Sequence, residues 1–198
     1  MHAKPDIAAL LGSRICHDLI NPIGAISNGV ELLMMEGAGN GPEMTLISES
    51  VSSANARIRF FRVAFGLSSP DQRIGRTEVV AILADLTAGG RTRIEWLGPD
   101  DLPRREVKLA FLLIMCLESA MAYGGKISVE RTDSRWMICG QAAKLKIDTT
   151  YWELLADPTA TPDIGPAHVQ FLLVPEEISR QHRRLAAELR ETEIRLNF

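Results

Sequence analysis

The chain has 198 residues, 46% of them hydrophobic, enough to bury a core and fill one or two domains. A formal net charge of −3 leaves no basic footprint for nucleic acid. The three cysteines, Cys16, Cys116 and Cys139, stand far apart with no C-x-x-C or Cys/His ligand spacing, which argues against a zinc site or disulfide framework and for a reducing compartment.

The N-terminal "MHAKPDIAAL" lacks the basic start and apolar run of a signal peptide. From about Pro5 to Met35 the pattern is helical, and "EGAGNGP" (36–42) reads as a glycine-rich turn with Pro42 opening the next helix. In that second helix Met44, Ile47, Val51, Ala54, Ile58, Phe61 and Phe65 recur in heptad rhythm, which predicts a bundle seam. Two helices joined by a tight loop form an antiparallel hairpin whose seam is half covered. Pairing two hairpins into a four-helix bundle closes it, so a homodimer is expected.

"GLSSPDQRIG" (66–75) has linker composition, which predicts a hairpin domain over 1–69 and a second domain over 70–198. In the second domain "EVVAILADLTA" reads as helix and "RIEWL" as strand. "REVKLAFLLIMCLESAMAY" reads as a buried helix stopped at Gly124-Gly125. Its apolar patch, 109–117, is too short to cross a bilayer, so a cytoplasmic protein without a membrane partner is expected. "KISVER-TDS-RWMICGQ" reads as a strand hairpin, "GPAHVQFLL" and the segment after it as helix interrupted by Pro175, and "AELRETEIRLNF" as a closing strand or strand pair. The expected fold class is α+β with two domains. Trp96, Trp136 and Trp152 read as core. His2 falls in a frayed terminus, His168 and His182 read as surface or packing residues, and "RQHRR" (180–184) as a solvated helix end.

On a helical wheel Ala8, Leu11, Ile15, Leu19, Ile26, Val30 and Leu33 of the first helix form one stripe, the expected core face. His17 falls about 200° from Ile15, pointing outward with Asn21, Gly24 and Asn28, and with Ile20 at the margin. A bare glycine lets a partner's backbone come close, and an exposed isoleucine gives it a dry seat. Pro22 removes one helical hydrogen bond beside the histidine and is expected to bend the helix. An outward imidazole can act as a nucleophile toward phosphorus, and the adjacent Asp18 carboxylate can hold the other ring N–H and fix the tautomer.

"HDLINP" (17–22) resembles the H-box of histidine-kinase dimerisation and phosphotransfer domains: His, an acid, two variable residues, Thr or Asn, then Pro. "SRICHDLINPIGAISNGVELL" is similar to the ChpT-type histidine phosphotransferases of alphaproteobacterial phosphorelays, and the likeness runs more loosely along the chain into a domain shaped like a kinase ATPase domain. The resemblance implies that His17 is the phosphoacceptor, that Asp18 supports proton handling on its ring, and that Asn21 lies near the phosphoryl group. It places Arg14, Ile20, Ile23, Gly24, Ser27 and Asn28 on or beside a docking surface for receiver domains, with Arg14 able to offer charge to phosphoryl oxygens.

The implied function is a phosphorelay histidine phosphotransferase working through phosphohistidine. It would take its phosphoryl group from the receiver of a hybrid histidine kinase and pass it to response regulators, with Mg²⁺ held in the partner receiver. The kinase pattern is broken in the second domain. Ser119 stands at the position of the metal-holding asparagine, Ala122 at the basic one, "GQAAKLKID" where D-x-G-x-G belongs, and the single Gly165 where a glycine-rich lid would be. No cofactor and no ATP binding are therefore expected. The competing readings are a diverged ATP-using sensor kinase and a non-catalytic dimeric receiver-binding adaptor.

Overall fold

A computed structural model describes residues 6–36, 41–156 and 163–198. His2, the helix start expected at Pro5 and most of the glycine-rich turn lie outside the described residues. Helix α1 spans Ile7–Glu36 and α2 spans Pro42–Ala64. The Asp6 carboxylate accepts the Ala9 N–H at 3.1 Å and caps the first turn of α1. The helix then runs unbroken through Pro22. The hairpin closes tightly at Gly29, where a Cβ would sit 2.5 Å from Ile47 Cγ1.

Strand β1 (Arg73–Gly75) leads into α3 (Arg76–Thr87), followed by β2 (Thr92–Leu97), β3 (Asp101–Pro103) and α4 (Arg104–Ala120). The hairpin β4 (Gly125–Thr132) and β5 (Arg135–Gln141) turns at Asp133, whose φ of 57° lies in the left-handed region. Helix α5 (Thr149–Ala156), a 3₁₀ turn at Pro166–His168, α6 (Gln170–Arg180), β6 (Ala186–Leu189) and β7 (Glu193–Asn197) complete the chain. The main sheet is mixed, in order β2-β4-β5-β7-β6, with β2 and β4 parallel and the other pairs antiparallel. Strands β1 and β3 form a separate antiparallel ribbon. This is the α+β class. No helix among the described residues is long and apolar enough to cross a membrane.

Helix α4 is the centre of the core: every residue from Val107 to Leu117 is buried between the inner sheet face and α6. Burial alternates along β4 and β5, so Ile127, Val129, Trp136 and Ile138 point inward. Trp96, Trp136 and Trp152 are all core, with the Trp96 and Trp136 rings 5.5 Å apart. The last turns of α2 join this core, where Phe60 stacks on Phe111 with ring centroids 4.7 Å apart.

Four expectations are corrected. The buried face of α2 is Ser50, Ala56, Phe60, Phe61, Val63 and Ala64, a face not anticipated beyond Phe61, while Met44, Val51 and Ile58 of the heptad seam are exposed in the single hairpin, as a half-covered seam requires. The helix carries two faces, and the one spaced by small residues meets the second domain. Along α1 the stripe is only half covered, with Ala8 and Val30 exposed, because a single neighbouring helix cannot wrap it. The segment 165–174 is not one helix, since a 3₁₀ turn precedes α6, and Pro175 sits inside α6 without ending it. Finally, "RQHRR" is solvated at Arg180, His182 and Arg184 but not at Arg183. Arg183 reaches the buried Glu106 at 3.2 Å, which also accepts from Trp136 Nε1 at 2.8 Å and Arg131 Nε at 3.1 Å.

Candidate functional site

The site lies on α1, two to three turns in from its start. The His17 side chain is 76% exposed, and Nδ1 lies 3.1 Å from Asp18 Oδ1. An ionised carboxylate can only accept, so this contact puts the ring proton on Nδ1 and leaves the Nε2 lone pair facing solvent. Asp18 is turned inward, its side chain 11% exposed. Arg14, one turn earlier on the same face, donates Nε to Asp18 Oδ2 at 2.8 Å. Arg14 also donates from Nη1 to the backbone carbonyl of Ala167, in the 3₁₀ turn before α6. Pro22 supplies no N–H, so the carbonyl of Asp18 loses its usual helical partner at this point.

Below this row sits Glu118, near the end of α4. Burial pushes its carboxyl up to about 7, against the pull of the Arg14 and Arg57 guanidinium groups and with a further push from Asp18. His168, adjoining Ala167, is half-buried and stacks on Tyr151 at 4.2 Å between ring centroids. Burial is the main cause lowering its pKa, and the Arg14 charge adds to it while Asp148 opposes it. The face of α1 that carries Arg14 and Asp18 is therefore backed by the second domain.

Around His17 the remaining predicted residues are exposed. Ile20 is 64% and Ile23 56% accessible, Asn21, Ser27 and Asn28 are open, and a Cβ on Gly24 would meet nothing within 4 Å. Arg14 is the exception: expected on the docking surface with its charge free, it is turned inward and committed to Asp18 and Ala167. A groove beside Asn21 and Pro22 continues between the polar face of α2 and the turn after α3, with Arg57 and Arg59 on its wall. In α4 the Ser119 hydroxyl donates back to the Cys116 carbonyl at 2.6 Å. Among the described residues no three His, Cys, Asp or Glu side chains gather as a metal site.

Sequence reasoning missed Glu118, Ala167 and Tyr151. An acid inside the apolar run of α4 was the available signal for Glu118. Ala167 acts through its backbone carbonyl, which leaves no trace in residue type.

Residues 76–193 match the family model described as "Histidine phosphotransferase C-terminal domain". The chain is 34% identical over 181 residues to the protein phosphotransferase ChpT of Brucella abortus (strain 2308), covering 87% of this chain and 86% of that one. It also superposes on a solved structure titled "1.7 Angstrom Structure of a Bacterial Phosphotransferase" with a TM-score of 0.81 and 28% identity, over 100% of this chain and 97% of the other. With the outward histidine of α1 and the α+β domain that supports it, these matches assign the chain: it belongs to the ChpT-type histidine phosphotransferase family.

Proposed function

We propose that His17 is the phosphoacceptor and that it shuttles a phosphoryl group between receiver-domain aspartates. The Nε2 lone pair attacks the phosphorus of a receiver's acyl phosphate in line. The P–O bond to the aspartate breaks, and its carboxylate leaves. In the onward step the aspartate of a second receiver attacks the phosphorus and the P–N bond breaks, returning the electron pair to Nε2. Asp18 keeps the Nδ1 proton in place throughout, holding the ring in the reactive tautomer and stabilising its cationic form. Catalysis is mainly positioning and charge neutralisation, with Mg²⁺ in the receiver's acidic pocket.

The observation that carries this reading is the exposed imidazole backed by an inward carboxylate. Ile20, Ile23 and Gly24 beside it offer a dry, low-relief seat. A receiver that must exchange with others suits a small interface, toward or below about 1,200 Å² in total. The half-covered seam of Val30, Met44, Val51 and Ile58 supports pairing of two hairpins into a dimeric bundle. The second domain serves as support and holds no nucleotide: Ser119 replaces the expected metal-holding amide and spends its hydroxyl within its own helix.

The test is to mix the purified protein with an aspartyl-phosphorylated receiver domain. Acid-labile, base-stable phosphate is expected on His17, and none on the chain in His17→Gln. Label persisting in that variant would refute the assignment. Addition of Mg-ATP alone is expected to leave wild-type protein unlabelled.

A further inference from the structure

We propose that Arg14 is a positioning residue for phosphoryl transfer, clamping the Asp18 carboxylate against Nδ1 of His17 and anchoring that pair to the second domain at the Ala167 carbonyl. The inference rests on the reading of His17 as acceptor and goes beyond it, because it gives the second domain a part in the chemistry.

Asp18 is adjacent to His17 in sequence, but a short carboxylate on a helix has several rotamers. Only one brings Oδ1 to Nδ1. The second oxygen, Oδ2, takes the Arg14 Nε hydrogen bond at 2.8 Å, so each oxygen has its own partner and the rotamer is fixed. The guanidinium fork has donors to spare, and Nη1 spans to the Ala167 carbonyl. That carbonyl is itself held: the neighbouring His168 ring is stacked on Tyr151 of α5 and lies near Phe171 of α6. A row thus runs from the core of the second domain through Ala167, Arg14 and Asp18 to the reactive imidazole. The Arg14–Asp18 contact is charge-assisted and partly buried, where it is worth more than on open surface, and the contact to Ala167 is exposed. This placement also explains why an arginine three residues before the histidine is not aimed at the bound phosphoryl group: its donors are already engaged behind the ring.

A small donor that needs no docking isolates this effect. The probe is phosphoramidate at pH 8. Nε2 attacks its phosphorus, the P–N bond breaks and ammonia leaves. Labelling is followed site by site by mass spectrometry, with exposed His182 as internal reference. His17 is expected to label faster than His182 in the wild type, and Asp18→Asn to slow His17 by about tenfold. Arg14→Ala is expected to slow it comparably, and the double variant no further than Asp18→Asn alone, because Arg14 acts through Asp18. Arg14→Lys keeps the charge without the fork and is expected to stay slow; it also replaces Arg14→Ala should that variant not unfold cooperatively.

Wild-type rates in Arg14→Ala or Arg14→Lys, or effects of Arg14 and Asp18 that multiply, would overturn the inference while leaving the acceptor reading intact. His17 labelling no faster than His182 in the wild type, with no effect of Asp18→Asn, would instead sink the reading of the site itself.

Discussion

Glu118 offers a quantitative test of how the hairpin is seated on the second domain. Its carboxyl is held at about 7 by burial under α1, whereas in an unfolded chain it titrates near 4.3. Below the unfolded value both states are protonated and the group is neutral to stability. Between the two values the unfolded chain releases a proton that the folded chain keeps, so stability falls as pH rises, and it levels off above about 7. At 1.36 kcal/mol per tenfold difference in proton affinity, the full loss is about 3–4 kcal/mol, a large share of a typical domain's margin. Glu118→Gln removes the titration while keeping the shape and a polar head. It is therefore expected to be more stable than wild type by about 3–4 kcal/mol at pH 8 and to approach it near pH 4.5. Urea midpoints measured at pH 4.5, 5.5, 6.5 and 8, with unchanged slopes, give the comparison. Wild-type and variant curves that run parallel across this range would refute the argument, since Glu118 would then be ionised and solvated or paired in the folded chain.

Two glycines in the second half of α1, Gly24 and Gly29, should respond oppositely. Gly24→Ala meets open space and is expected to stabilise by about 0.5–1 kcal/mol while hindering receiver docking. Gly29→Ala drives a methyl into Ile47 and should destabilise by about 1–2 kcal/mol net; thermal unfolding and receiver binding distinguish the pair. Glu106→Ala strands Arg131, Arg183 and the Trp136 N–H together, and a loss of about 3 kcal/mol or more is expected in denaturant unfolding. Ile58→Glu, at an exposed seam position, is expected to leave the single-chain fold intact and halve the mass seen by sedimentation.

The sequence carried most of the architecture because periodicity reports burial directly. Helix α4 and the β4–β5 hairpin were legible for that reason, as was the outward direction of His17, which depends only on 3.6-residue geometry. Other features left weaker traces. Strands β1 and β3 are three residues each, too short for alternation to register. Helix α5 opens on Thr-Thr-Tyr-Trp, residues that favour strands, and is held in helical form by packing against α6. The core face of α2 was hidden because Ser50, Ala56 and Ala64 are too small to outweigh the larger heptad residues on the other side. At the site, side chains were legible and their environment was not. Arg14 could be placed near His17, but its second partner is a carbonyl 153 residues away.

That distant contact bears on why a relay protein keeps an elaborate second domain. A domain that delivers a phosphoryl group from a nucleotide must approach the histidine and withdraw, which calls for a loose junction. Here the junction is tight at two places. Phe60 of the hairpin stacks on Phe111 at the centre of the core, and Arg14 ties the histidine's own supporting carboxylate to the turn before α6. Separating the two parts would expose buried aromatic surface and strip the Arg14 guanidinium of its Ala167 carbonyl, each opposed by the hydrophobic and hydrogen-bonding terms that hold the fold. Rigidity of this kind favours a protein whose partners come and go while it stays still. On the reading proposed for His17, the ring and its proton would be held in one arrangement for every receiver that docks, so that a single imidazole serves as acceptor and donor in turn.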